Sequence, residues 1–266
     1  MTSYKEALHK VLKVSKVNKK KEFFKNVKNE TISKNIYAKN DNPSFNNSLL
    51  DGFVFKSSDT KKNSHFKLNG ELAVGQTKKI KYIKNTCYRV STGGKIIPPY
   101  DCMLPYEQVE VIDALIEIPK KIKKFNNVRL KGSDFKKGDL IIKKNQKITP
   151  AKKLLIKSSG NENIQIYETP NIILFCSGDE ISDKIVFNDK VINSIPEYIN
   201  SYKEVYNFNF KYLGIVKDNK NSINKVFSKI KNLNNTIIVS TGGVSAGHKD
   251  YFPKFLRQKK YKILFH

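Results

Sequence analysis

A continuous apolar run near the middle of the chain restricts the fold more than any other feature. Residues Ile172 to Cys176 are all apolar, as in a strand buried on both faces of a sheet. Beyond this run, periodicity and turn signals predict a helix around 195–206, a strand at 210–216, a helix at about 221–232, a strand at 236–240 and a helix from about Asp250. Strands and helices that alternate at this spacing form βαβ units, so the pattern from Asn171 onward predicts a parallel sheet.

The first 160 residues have a different pattern. Apolar residues at helical spacing follow Ser3, which with Glu6 forms a capping box, so the chain is predicted to begin with a helix. Residues 18–35 are polar and basic and are interpreted as a second short helix after a loop. Residues 43–140 are predicted to be mostly β, with a turn at 98–101 and strands at 53–55, 80–83, 109–112 and 115–118. A helix is predicted at 150–160.

Composition sets the broad class of protein. The formal net charge is +26, but the excess lysine is spread along the whole chain, so a solvated basic surface is favoured over a nucleic-acid site. Three cysteines that are far apart indicate neither a disulfide framework nor a zinc site. No apolar run approaches the roughly 18 residues that span a bilayer. A cytoplasmic, soluble protein is therefore expected.

The loop from Ser240 to Tyr251 has the strongest functional pattern. It follows a predicted strand of the parallel sheet, and ligands of such sheets bind at the carboxyl ends of the strands. Gly242, Gly243 and Gly247 would let backbone N–H groups approach an anion closely, and Ser245 adds a hydroxyl. Asp250 is a carboxylate at the rim. A phosphate-binding loop is favoured over a simple strand-to-helix connection.

Acidic residues follow the other strands of this sheet. Ser177, Gly178, Asp179 and Glu180 come directly after the first buried strand, and Asp218 ends the second. Carboxylates at this edge could hold Mg²⁺ against a phosphate. Two alternatives stay open. Acidic residues at the N-terminus of a helix also stabilise that helix through its dipole, and Asp218 taken alone is an ordinary turn residue.

Two more acids, Asp51 and Asp134, lie in the predicted β region. Each stands close to a glycine, so each is interpreted as a turn residue from the pattern alone. Spacing gives no connection between them and the loops of the parallel sheet.

Five segments in this order resemble the MoeA family, which includes the E domain of gephyrin and whose members insert molybdenum into molybdopterin. They are residues 43–53 (PSFNNSLLDGF), 88–93 (YRVSTG), 128–134 (VRLKGSD), 177–180 (SGDE) and 241–251 (TGGVSAGHKDY). The opening SYKEALHKVL is also similar to the first helix of the family. Because the segments are ordered and cover essentially the whole chain, the match is specific.

The resemblance implies an elongated multidomain α/β and β fold. Residues 1–47 together with 136–168 would form a discontinuous N-terminal domain, residues 48–135 an inserted β-rich domain, and residues 169–266 part of a molybdopterin-binding parallel α/β domain. It also implies a homodimer, in which Asp51 and Asp134 of one subunit face the glycine loop of the other.

The resemblance further implies a reaction and its residues. Adenylated molybdopterin and molybdate are the expected substrates, with Mg²⁺ assisting cleavage and AMP released. Asp51, Asp134 and Asp250 would be catalytic, and Glu180, Asp218 and Asp250 would hold the metal. The substrate would be bound by Thr92, Ser177, Gly178, Thr241, Gly242, Gly243, Ser245 and Gly247.

The chain departs from the family pattern in two places. Gly94 and Lys95 stand where the family usually has Ala-Pro. The family also continues with a Lys-Pro-Gly-Lys-Pro-like segment, a Gly-Pro-Asn loop and a β-barrel, so this chain is expected to be a fragment, the product of a wrongly ended gene prediction, or a degenerate relative. A scaffold without turnover is thus the alternative to a molybdotransferase, and a nucleic-acid-binding protein ranks third.

Overall fold

The computed structural model describes residues 2–72, 75, 80–119, 121–185, 189–217, 219–230, 233–242 and 251–265. The helices in these ranges are α1 (Tyr4–Val14), α2 (Pro150–Ser158), α3 (Ile195–Ser201), α4 (Lys203–Tyr206), α5 (Lys220–Ser228) and α6 (Tyr251–Gln258), with a 3₁₀ turn at Tyr106–Gln108. No helix among the described residues combines the length and the apolar character needed to cross a membrane.

The strands in the same ranges are numbered in chain order. They are β1 (Lys19–Phe23), β2 (Ile36–Tyr37), β3 (Asn47–Ser48), β4 (Gly52–Phe55), β5 (His65–Leu72), β6 (Thr86–Val90), β7 (Cys102–Pro105), β8 (Glu110–Ile112), β9 (Leu115–Glu117), β10 (Val128–Arg129), β11 (Leu140–Ile142), β12 (Asn163–Tyr167), β13 (Asn171–Ser177), β14 (Ile181–Ser182), β15 (Val191–Ile192), β16 (Asn209–Val216) and β17 (Thr236–Thr241).

The chain divides into two compact units. Met1–Lys34, Asn145–Thr149 and Gln165–His266 form the first unit. Asn35–Lys144 and Pro150–Ile164 form the second unit. The three domains drawn from the resemblance stay a prediction.

The first unit contains the predicted parallel sheet. Its strands lie in the order β16-β13-β17, and β13 pairs in parallel with both neighbours. β13 contains the apolar run and is its central strand, with Leu174, Phe175 and Cys176 almost fully buried. On one face, Phe175 packs with residues of α5 and α6, including Val226 and Phe255. The alternation of strands and helices in this part of the chain is confirmed.

The beginning of the first unit agrees with the sequence in one helix and differs in the next. The capping box of α1 is present, because the Ser3 hydroxyl accepts from the Glu6 N–H while the Glu6 carboxylate accepts from the Ser3 N–H. A helix over 18–35 is wrong. β1 instead pairs with β12, and the Ile32 N–H donates to the Gln146 carbonyl at 2.9 Å. These partners lie far along the chain, so local periodicity could not reveal them.

The second unit is mostly β, as predicted. A six-stranded sheet has the order β7-β4-β6-β5-β9-β8. Alternation along β4 places Phe53 and Phe55 in one buried cluster and Val54 in another, so both faces of this sheet are covered. The predicted strand at 80–83 is wrong. This segment is held by side chains instead: Tyr82 packs against the second cluster and its hydroxyl donates to Asp59 Oδ2 at 2.7 Å.

Candidate functional site

The carboxyl ends of the three parallel strands meet at one edge of the sheet in the first unit. Cys176 of β13 is in register with Thr241 of β17, and Ser177 is in register with Val216 of β16. The Ser177 hydroxyl donates to the Val216 carbonyl at 3.3 Å. The strands thus bring the predicted binding residues Ser177 and Thr241 to the same edge.

Gly242 approaches the end of β13 more closely than any other residue type could. Its φ is +76°, and a Cβ added there would lie 1.9 Å from the Ser177 carbonyl oxygen. Since β-carbons do not approach a carbonyl so closely, the first residue after β17 packs backbone to backbone against the last residue of β13. The contact joins residues of two sequence motifs that lie 65 positions apart along the chain.

Gly178 and Glu180 form the neighbouring part of this edge. Gly178 has a φ of +146°, and a Cβ added to it would meet Glu180 Oε1 at 2.6 Å. The exposed Glu180 carboxylate therefore lies over the backbone of Gly178. Peptide groups beside a carboxylate offer hard oxygen ligands and N–H donors, which suit Mg²⁺ and phosphate respectively.

The rest of the predicted loop lies outside the described residues. This applies to Gly243, Ser245, Gly247 and Asp250, and also to Asp218 after β16. Glu180 is the one member of the predicted metal set with a described position. Within the described part of the chain, no three His, Cys, Asp or Glu side chains come together in a group that could hold a metal ion.

Asp51 and Thr92 are brought together in the second unit. Asp51 Oδ1 accepts from the Thr92 backbone N–H at 2.6 Å and from its hydroxyl at 3.1 Å. Both residues are exposed. Thr92 begins a turn whose next residue, Gly93, donates its N–H to the Ser48 carbonyl of β3 at 2.8 Å. The pair is therefore fixed on a turn beside β3.

Asp134 is held by partners of its own. Its Oδ2 atom accepts from Arg129 Nη2 at 2.5 Å and from Asn42 Nδ2 at 3.1 Å. Arg129 is paired with Asn47 of β3, so the Arg129–Asp134 pair lies on the side of β3 where β10 runs. The sequence pattern did not single out Arg129. Its only signal was its place five residues before Asp134 in the 128–134 segment.

The parallel sheet and its loop edge match a known class of domain. Residues 173–266 match the family described as "Probable molybdopterin binding domain", and residues 2–160 match "MoeA N-terminal region (domain I and II)". The second match alone covers more than half of the chain. The chain therefore belongs to the MoeA family.

Individual relatives agree with this assignment. The chain is 27% identical over 246 residues to a molybdopterin molybdenumtransferase of Staphylococcus aureus, covering 89% of this chain and 58% of the relative. A molybdopterin molybdenumtransferase of Staphylococcus epidermidis is 25% identical over 242 residues, with 57% of it covered. The chain thus spans a little over half the length of these relatives.

A solved structure shares the fold. The crystal structure of the molybdopterin biosynthesis MoeA protein of Pyrococcus horikoshii OT3 superposes with a TM-score of 0.79 at 19% identity. The superposition covers 91% of this chain and 66% of that one. The expected multidomain α/β and β fold is confirmed.

Proposed function

We propose that this chain acts in molybdenum cofactor biosynthesis by binding adenylated molybdopterin and inserting molybdate into it, with release of AMP. The observation that carries the proposal is the backbone contact of Gly242 with Ser177, because it brings the start of the predicted phosphate-binding loop beside the segment that contains Glu180, at one edge of a parallel sheet. Membership of the MoeA family supports the pterin as the ligand.

The residues at this edge have separate roles in the proposed reaction. Backbone N–H groups of Gly178, Gly242 and the loop to Gly247 hold the phosphates, together with the hydroxyls of Ser177, Thr241 and Ser245. Glu180, Asp218 and Asp250 would hold Mg²⁺, which when bound polarises the phosphoryl oxygens during cleavage.

Asp51, Thr92 and Asp134 would complete the site across a homodimer, facing the loop of a second subunit. Support comes from their geometry: both carboxylates are exposed, and each is fixed by hydrogen bonds to its own neighbours. Asp250 would act beside them. The cytoplasm suits the proposal, since all three cysteines are buried free thiols, as in a reducing compartment.

Molybdate-dependent release of AMP from adenylated molybdopterin by the purified chain tests the proposal. Asp250→Ala is expected to lower the rate by about tenfold or more, corresponding to about 1.4 kcal/mol or more of lost transition-state stabilisation. Glu197→Ala is the control, because Glu197 is an exposed acid of the same unit on α3. Equal rates for the two variants would rule out the role given to Asp250.

Mixing two inactive variants tests the shared site. If each site is built from two subunits, Asp51→Asn chains and Asp250→Ala chains should recover activity when mixed, because the mixed dimer contains one site with neither change. No recovery, with both variants dimeric by sedimentation, would contradict a site formed between subunits.

The second candidate is a MoeA-like binding scaffold without turnover. Calorimetry separates the two candidates, because the scaffold would bind adenylated molybdopterin without releasing AMP when molybdate is added.

A further inference from the structure

A network of side chains ties the segment that contains Glu180 to the parallel sheet. The hydroxyl of Tyr212, on β16, donates to Asp183 at 2.8 Å. Asn193 Nδ2 lies 2.9 Å from Asp183 Oδ1 and 2.9 Å from the Tyr212 oxygen. The amide oxygen of Asn193 accepts from the buried Cys176 thiol of β13 at 3.6 Å. Two residues of the sheet thus hold two residues of the segment.

The hydroxyl of Tyr212 is suited to act as a fixed hydrogen-bond donor. Burial and the hydrogen bond to Asp183 raise the pKa of Tyr212. The hydroxyl therefore keeps its proton at neutral pH, and the proton stays directed at the Asp183 carboxylate. Asp183 is itself exposed, and the Tyr212 hydroxyl is its direct hydrogen bond to the sheet, beside the one it accepts from the Asn193 amide.

The network reaches Glu180 through two short strands. β14 follows Glu180 directly and pairs in parallel with β15. The Val191 N–H donates to the Glu180 carbonyl at 2.8 Å, and the Asn193 N–H donates to the Ser182 carbonyl at 2.8 Å. Asp183 and Asn193 lie at the far ends of these two strands. Anchoring those ends therefore fixes the backbone of Glu180 as well.

We propose that Tyr212 is a positioning residue that acts through Asp183 and Asn193 to hold the Glu180 carboxylate at the ligand edge of the sheet. The inference rests on the proposed function, since it gives Glu180 a ligand to face. It adds a residue that neither the sequence pattern nor the family resemblance assigned to the site.

A double-mutant cycle tests this role by calorimetric binding of adenylated molybdopterin in the presence of Mg²⁺. Tyr212→Phe removes the hydroxyl and keeps the ring, and is expected to weaken binding by about tenfold, as for other residues that orient a ligand-binding group. In a Glu180→Gln background the same change should weaken binding by no more than about twofold, because its effect passes through Glu180.

Tyr167→Phe is the matched control. It removes a hydrogen bond of similar length, 3.0 Å to Asn145, within the same unit but away from Glu180. Binding by this variant should equal that of the unchanged chain. Hydrogen exchange at residues 180–183 and 191–193 should be faster in Tyr212→Phe and unaltered in Tyr167→Phe.

Three outcomes decide the matter. Normal binding by Tyr212→Phe, even with faster exchange, would overturn the inference and leave the proposed function standing. An equal loss in both backgrounds would show a general structural role for Tyr212 and overturn it too. Failure of the unchanged chain to bind the pterin would instead reject the proposed function, and the inference with it.

Discussion

A single glycine allows the chain after β17 to approach the end of β13 closely. At Gly242 a methyl group has no room, because the Ser177 carbonyl occupies its place. At Gly214, in the same sheet, the φ of +94° also favours glycine, but nothing lies within 4 Å of an added Cβ. A comparison of alanine substitutions at the two positions therefore separates the cost of backbone strain from the cost of a steric clash.

The comparison predicts unequal losses of stability. Gly242→Ala should lower the free energy of unfolding by about 1–3 kcal/mol more than Gly214→Ala, which is the usual cost of forcing extra atoms into a packed region. Urea unfolding curves of both variants measure the difference. Equal losses would mean that the loops move apart readily, and the close contact would then lose its importance for the site.

Buried thiols give a second prediction at the scale of the residue. Burial raises the pKa of Cys87 and of Cys102 to about 12. A raised pKa keeps a thiol protonated, and the thiolate is the reactive form, so neither residue should react with iodoacetamide in the folded chain at pH 8. Both should react after denaturation in urea. Labelling of either residue in the folded chain, read by mass spectrometry, would contradict the burial.

At the scale of the element, α1 depends on its cap. None of its residues is buried, so packing does little to hold the helix. Ser3→Ala should destabilise this helix by about 1 kcal/mol and speed hydrogen exchange of its first turns, with little effect on global unfolding. Thr2→Ala removes the neighbouring hydroxyl and leaves the capping box in place. Faster exchange in both variants would show that the box is not what holds α1.

The elements that sequence predicts well are those whose signal is local. The apolar run of β13 and the alternation after it need only their own periodicity, and the meeting of Ser177 with Gly242 follows because parallel strands end at one edge. β1 has no such local signal, because its partner β12 lies far along the chain. The 80–83 segment is mispredicted for another reason, because Ile80 and Tyr82 pack against the core without forming a strand ladder.

The candidate site could likewise be predicted only in part from the sequence. The residues alone indicate the loops of the sheet, but Asp51 and Thr92 gained a role only through the family resemblance. Their hydrogen bonds show that the two residues lie together. Arg129 could not be predicted, because no periodicity distinguishes a surface arginine. Its ion pair with Asp134 is apparent only in the folded structure.

At the scale of the whole molecule, β17 is an edge of its sheet. Among the described strands it pairs only with β13, and Ile237 on it is 55% exposed. A strand with one neighbour among the described strands and an exposed apolar side chain favours association. Ile237→Lys should therefore lower the light scattering of concentrated solutions while AMP release or pterin binding stays unchanged. Unaltered scattering would place the association surface elsewhere.

The position of β13 at the centre of its sheet has a consequence during synthesis. β13 leaves the ribosome first, yet both strands that flank it, β16 and β17, are translated later. At a translation rate of roughly 5–20 residues per second, several seconds pass between the synthesis of the apolar run and that of its second neighbour, β17. During this interval the apolar strand has neither of its native neighbours complete, so a chain of this order is open to wrong strand pairings until translation has passed Thr241.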